Sequence, residues 1–246
     1  MEANGLKKAA QLIRESRKTA AFTGAGISVE SGVPDFRGPN GLWSRYDPKL
    51  LKLDYFYKHP EECWIVLKQI FYEFLKAVQP NGAHLTLAWL EEKGLLQGVI
   101  TQNIDNLHHK AGSKNIIEYH GNTRLLYCRK CDEYQKANLL KLNFPPVCEG
   151  CGTILKPDFV FFGEAIPAKA LKEVGEILEK LELMLVIGTA GAVYPAAMIP
   201  RIAQRQGAKI IEINIEKSEY TEAITDIFIQ MSASKALLIL KDLLSS

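Results

Sequence analysis

The chain has no apolar run long enough to cross a bilayer. Its opening stretch, MEANGLKKAAQLIRES, has the charged amphipathic pattern of a helix and lacks the apolar core of a secretory leader. Both absences point away from membranes and toward the cytoplasm. Charge of one sign is scarce too: a formal net charge of +2 over 246 residues gives no field to hold nucleic acid or an anionic surface. There is no Gly-x-Ser-x-Gly elbow, no internal repeat and no low-complexity linker. Apolar residues make up 47% and charged residues 24%, which suits a globular protein with a substantial core. The length allows one large domain or a domain carrying a smaller insert.

Cysteine is sparse, and four of the five residues are spoken for. Cys128-x-x-Cys131 and Cys148-x-x-Cys151 have the spacing of a four-cysteine zinc site, and a reducing compartment disfavours disulfides. Four thiolates fill a tetrahedral ion and leave no position for substrate, so this zinc is expected to be structural. Cys63, in CWIVL, reads as a small buried apolar residue.

Along the chain, apolar strands alternate with helical patterns, which predicts an α/β fold with a doubly wound parallel sheet. Residues 3–16 are expected to be helical, and Ala20–Thr23 a strand ending at Gly24-Ala25-Gly26, with a helix starting near Ile27. Further strands are expected at 98–101, 115–118, 183–187, 208–213 and 227–229, and an apolar extended run at 159–164. Helices are expected at 83–93, 168–180 and 196–206, and from 232 onward. Two stretches break the alternation. Residues 40–80 are helical and hold about half the aromatics, as core or as the wall of an apolar groove; 123–156 carries the cysteines and is too short to bury a core of its own.

In such sheets ligands bind beyond the carboxyl ends of the strands. Five of these ends carry glycine or polar residues: Gly24 to Ser28, Gln102 to Asp105, His120, Gly188-Thr189 and Asn214. The first glycines suit close approach to a phosphate or an ordinary tight turn. No acidic residue marks the end of the next strand, as a dinucleotide fingerprint would have it. Asn103 and Asp105 either recognise a carboxamide or close the strand in an Asx turn. His120 is a candidate general base or a hydrogen-bonded structural residue. Arg37 either pairs with a phosphate or is a solvated surface side chain.

GAGIS, GVPDFRG, TQNIDNLH, YHG, the two CxxC pairs, VFFGE and GTAGAVYPAA occur in this order and together resemble the sirtuins, the NAD-dependent protein lysine deacylases. The similarity runs from about Thr19 to Asn214. It implies a Rossmann-type NAD-binding domain (1–39, 81–122 and 157–246). It also implies a small domain made of a helical insert (40–80) and a zinc-binding insert (123–156). By motif, Gly24, Ala25 and Gly26 meet the NAD pyrophosphate, and Ser28 lines the nicotinamide side. Asp35, Phe36 and Arg37 form a cofactor loop, Gln102 meets the nicotinamide ribose, and Asn103 and Asp105 hold the nicotinamide end. Thr189 and Asn214 meet the adenosine half and Gly188 also belongs to the cofactor site, while Val160, Phe162 and Gly163 pair with an acyl-lysine peptide. The implied reaction attaches the acyl oxygen to the ribose carbon as nicotinamide leaves. His120 then activates a ribose hydroxyl, giving free lysine and 2′-O-acyl-ADP-ribose.

The sequence departs from the family pattern at two places. Ala190 stands where a serine is usual, removing one side-chain hydrogen bond to the cofactor. Leu67 and Ile70 replace the Tyr-x-x-Arg pair of members that accept succinyl-lysine, so acetyl or longer apolar acyl groups are the expected substrates. The expected partners are acylated proteins or peptides, met by a monomer with no direct contact to nucleic acid. ADP-ribosyl transfer in the same cleft, and a nucleic-acid-binding zinc ribbon, are the rival readings. His120 opposes the first, and the mild basic excess of the cysteine segment gives the second little support.

Overall fold

The computed structural model describes residues 2–34, 41, 46–137 and 144–245. The chain begins with α1 (Glu2–Glu15) and β1 (Thr19–Thr23), every residue of the strand buried. The helix expected from Ile27 is instead a seven-residue 3₁₀ helix, Ala25–Ser31, which Gly32 ends in the left-handed region at φ 89°. An excursion follows through α2 (Leu53–Lys58), α3 (Pro60–Leu67), a π-helical stretch Lys68–Phe74 and α4 (Leu75–Ala77). The chain returns through α5 (Gly82–Glu92), β2 (Gly98–Thr101), α6 (Leu107–Lys110) and β3 (Ile116–Glu118).

A second excursion builds a three-stranded antiparallel sheet in the order β5-β4-β6, from β4 (Gly121–Cys128), β5 (Glu133–Lys136) and β6 (Lys156–Phe159). The remainder is α7 (Ala168–Leu178), β7 (Leu183–Ile187), α8 (Met198–Arg205), β8 (Lys209–Asn214), β9 (Ile227–Gln230) and α9 (Ala233–Ser245). Among the described residues no helix is long and apolar enough to cross a membrane.

The main sheet has six parallel strands in the order β3-β2-β1-β7-β8-β9. This is the Rossmann order, and it reverses direction between β1 and β7. Period two divides β7 between two cores. Leu183, Leu185 and Ile187 pack with α1, α5 and α9, through residues such as Ile13, Leu90 and Leu237. Met184 and Val186 face α7 and α8 through Val174, Leu178 and Ala203. A third core joins the two excursions: Phe56, Trp64, Leu67 and Phe71 pack with Leu126, Leu155, Phe159 and Phe161. Trp64 Nε1 donates to Leu155 O at 2.8 Å across that core.

The extended run expected at 159–164 is a strand only as far as Phe159. Beyond it the backbone changes partners. Val160 N–H donates to His120 O at 2.8 Å; Phe162 N–H then donates to Leu51 O at 2.8 Å, and Phe162 O accepts from Leu53 N at 3.1 Å.

Candidate active site

At the switch point the turns after β1 and β7 interlock. Gly24 N–H donates to Ile187 O at 3.1 Å and Gly26 N–H to Gly188 O at 2.8 Å. A Cβ on Gly26 would lie 2.7 Å from Gly188 Cα, and one on Gly24 would lie 2.8 Å from Thr189 Cβ. Gly188 itself sits at φ 61°, where its own Cβ would strike the Ile27 nitrogen. Backbone meeting backbone therefore already requires these glycines, whatever phosphate they face.

Beside this junction, Ser28, Asn103 and Asp105 form one hydrogen-bonded group. Ser28 Oγ donates to Asp105 Oδ2 at 2.7 Å, and Asn103 Nδ2 donates to Ser28 Oγ at 3.2 Å and to Gly24 O at 3.1 Å. Asp105 Oδ1 also accepts from Leu107 N at 2.9 Å, so the Asx turn and the projection of both side chains to one side coexist. Burial raises the Asp105 carboxyl above its usual range, against the bonds from Leu107 and Ser28. On the far side of Ser28 stands His84, whose Nε2 lies 3.4 Å from Ser28 Oγ and whose Nδ1 lies 3.1 Å from Asn81 Oδ1. His108 supports the floor from below, with Nε2 3.0 Å from Thr23 Oγ1, which donates on to Thr101 Oγ1 at 2.9 Å. Burial holds both imidazoles in the neutral form and brings His84 down to about 4.

A cavity of about 190 Å³ opens over this group. Ala25, Ser28, Asn103 and Asp105 form its polar end; Tyr46, Ile70, Phe71, Phe74 and Ile104 form an apolar wall. Of the aromatic excursion, then, Tyr46, Phe71 and Phe74 reach the groove, whereas Phe56, Trp64 and Tyr72 pack away from it in the core. Ile70, Phe71 and Phe74 of this wall lie on the π-helical stretch, a distortion that often marks functional helices. No lysine or arginine lines the cavity among the described residues. Asp35, Phe36 and Arg37 lie outside those residues.

His120 stands beyond β3, with Nδ1 3.1 Å from the Gln102 carbonyl oxygen. A carbonyl can only accept, so Nδ1 carries the proton and Nε2 keeps its lone pair. Burial lowers the His120 pKa, and the bond to Gln102 opposes that shift. Gln102 Nε2 donates to Thr189 Oγ1 at 3.1 Å, and Asn214 Nδ2 donates to Thr189 O at 3.2 Å. The five strand ends picked out from the sequence thus meet along one edge of the sheet.

The four cysteine sulfurs all lie within 4.8 Å of one another. Cys128 and Cys151 are 3.6 Å apart, and Cys131 and Cys148 are 3.8 Å apart. A tetrahedral ion with bonds of about 2.3 Å needs an edge of roughly 3.8 Å, so this donor set fits zinc. Cys131 N and Gln135 Nε2 lie 3.5 and 3.6 Å from the Cys128 and Cys148 sulfurs, where they can hydrogen-bond to thiolates.

The Sir2 family model matches residues 24–195, most of the chain and every motif around the cleft except Asn214. The chain belongs to the Sir2 family. Among Sir2 relatives, an NAD-dependent protein deacetylase of Thermotoga maritima is 43% identical, with 89% of this chain and 91% of the relative covered. An NAD-dependent protein deacylase of Pyrococcus abyssi is 44% identical, with 93% of each chain covered. A solved Sir2–p53 peptide–NAD+ complex superposes with a TM-score of 0.88 at 39% identity, covering 96% of this chain and 97% of the other. A propionylated-peptide complex of a Sir2 protein gives 0.87 at 37% identity, with coverage of 96% and 97%.

His84 is the site residue of this Sir2 chain that sequence reasoning passed over. Its one signal was its place three residues after Asn81 at the start of α5, where its ring closes a capping box.

Proposed function

We propose that this chain removes acyl groups from protein lysine side chains at the expense of NAD, releasing nicotinamide and 2′-O-acyl-ADP-ribose. The observation that carries this reading is His120, a partly buried imidazole whose tautomer the Gln102 carbonyl fixes, placed on the same sheet edge as the Ser28–Asn103–Asp105 pocket. NAD supplies a ribose carbon with a good leaving group and adjacent hydroxyls. The chain does the rest. The glycine turns and Gln102 position the sugar and phosphates. Thr189 and Asn214 hold the adenosine half. Asn103 and Asp105 hold the nicotinamide end, and neutral His120 Nε2 takes the proton from the ribose hydroxyls.

The acylated peptide is read as lying against the backbone that follows β6. The main chain of Phe162 is already tied to Leu51 and Leu53 and the Val160 N–H to His120 O, which leaves the half-exposed Phe162 ring, the rest of Val160 and left-handed Gly163 as the points of contact. The apolar wall and the lack of a cationic side chain in the described cavity favour acetyl or longer apolar acyl groups over succinyl. The division into a Rossmann-type domain and a two-insert small domain is part of this reading, supported by the shared third core, with zinc on Cys128, Cys131, Cys148 and Cys151 holding the small domain together. The small net charge gives no field to hold nucleic acid, and the partners are read as acylated proteins met by a cytoplasmic monomer.

The test is mass spectrometry of an acetyl-lysine peptide incubated with zinc-loaded protein, with and without NAD. Deacetylation only with NAD, accompanied by nicotinamide and O-acetyl-ADP-ribose, is the expected result. Release of nicotinamide with the peptide intact would instead assign the cleft to another acceptor. His120→Ala is expected to abolish deacylation while retaining some nicotinamide exchange; equal loss of both would remove His120 from the base role.

A further inference from the structure

Period two in β8 sends Ile211 and Ile213 to one core and Ile210 to the other, and the residue that shares a face with Ile210 is a glutamate. Glu212 is 1% exposed and lies beside Val186 of β7 and Phe228 of β9. Among the described residues no basic side chain pairs with it. Its carboxyl oxygens are satisfied by three hydroxyls from the one loop that joins β8 to β9. Ser218 Oγ donates to Oε1 at 2.6 Å, Thr225 Oγ1 donates to Oε2 at 2.8 Å, and Thr221 Oγ1 lies between the two oxygens at 3.1 and 2.9 Å. A carboxyl group buried in a sheet core is costly unless its hydrogen bonds are complete, and here one loop completes them.

The loop so held leans on the turn after β7. Glu219 N–H donates to Ala190 O at 3.1 Å, and the Tyr220 ring lies 2.9 Å from where a Cβ on Gly191 would be. Tyr220 OH donates to Ala197 O at 3.1 Å, and Arg201 donates to Glu219 O at 3.1 Å. The alanine at 190 has no side-chain hydrogen bond to offer, and its turn is fixed through the main chain instead.

We propose that Glu212 is a positioning residue for the adenosine half of NAD, acting through Ser218, Thr221 and Thr225 to set the loop against the Thr189–Gly191 turn. The proposal rests on the reading that Thr189 and Asn214 meet adenosine. Glu212→Gln replaces one acceptor oxygen by a donor facing hydroxyls that already donate, which loosens the loop without changing shape.

The experiment compares steady-state kinetics, calorimetric binding of ADP-ribose and thermal melting for wild type, Glu212→Gln, Thr225→Val and Asn214→Ala. Glu212→Gln is expected to raise the KM for NAD and weaken ADP-ribose roughly tenfold, on the scale of a lost hydrogen bond to a charged group. Its kcat and peptide KM stay within about twofold, and Thr225→Val moves the same constants less. If Asn214→Ala weakens ADP-ribose and Glu212→Gln does not, the proposal falls while the adenosine reading stands. If neither weakens it, both fall. A rise in both KM values with a lower kcat would make Glu212 a general structural residue and overturn the proposal. Should Glu212→Gln fail to fold, Thr225→Val and Thr221→Val decide by the same constants.

Discussion

Acid stability offers a direct test of the polar network beneath the cavity. His84 is fully buried, with its ring nitrogens on Ser28 and Asn81, and burial lowers it to about 4. In the unfolded chain it returns to about 6.5, so between these values the unfolded state holds the extra proton. The stability this group contributes is therefore whole above the unfolded value and is lost as pH falls toward the folded one. At about pH 4.5 the loss amounts to roughly 2.5 kcal/mol, against almost nothing at neutrality. Asp105 and Asp158 act in the opposite sense: burial raises both, Asp158 to about 6, so their contribution is present in acid and fades as pH rises through those values. A variant separates the terms. Urea unfolding of zinc-loaded wild type and His84→Gln, followed across this range, should show wild type losing about 2 kcal/mol more than the variant on acidification. The carboxyl groups and the thiolates are common to both proteins and cancel to first order, as does the burial of His108, which is what mainly lowers it. Parallel curves would show that His84 is protonated in the folded state or reached by solvent, and would refute the neutral floor.

Three further outcomes follow from the same geometry. Removing zinc with a chelator, or Cys148→Ser, should expose the core that Leu126, Cys148 and Leu155 share with Trp64, read as a red shift of tryptophan emission together with loss of deacylation. Lys156, only 4% exposed, donates to Pro157 O at 2.8 Å and Phe159 O at 2.7 Å and pairs with Glu164 at 3.0 Å; Lys156→Met should cost roughly 3 kcal/mol in denaturant unfolding and raise peptide KM more than NAD KM. Ile70→Arg places a cation at the apolar cavity wall and should raise the ratio of succinyl to acetyl turnover, read with paired peptides; no change in that ratio would mean that the acyl group does not reach this wall.

The parallel sheet was legible because its strands are short apolar runs ending in glycine or polar residues, and β2 and β7 were read to the residue. What escaped were features settled by a partner distant in sequence. The run after Phe159 looks like one strand by composition, but its backbone passes from His120 to Leu51, and nothing local records that change. Gly24 and Gly26 suit either a phosphate or a tight turn by sequence; their first constraint is Gly188, in the turn after a strand far along the chain. Beyond its place after Asn81, His84 carries no signal, because its significance lies in Ser28, which it meets only after folding. The cysteine tetrad was the reverse case, since the chemistry of four thiolates fixes both spacing and geometry.

The shared third core has a consequence for biosynthesis. Trp64 and its acceptor at Leu155 are 91 positions apart, and Phe56 and Phe71 likewise wait for Phe159 and Phe161. At translation rates of about 5–20 residues per second, the aromatic face of the first excursion is made several seconds before the strands that cover it. Through that interval Phe56, Trp64 and Phe71 lack their native cover, and β4 and β5 wait for the second cysteine pair. Closure of this half of the protein depends on Cys148 and Cys151 emerging and on metal being at hand. Zinc supply during synthesis, as well as in the finished enzyme, then sets how much of the nascent chain escapes aggregation or proteolysis.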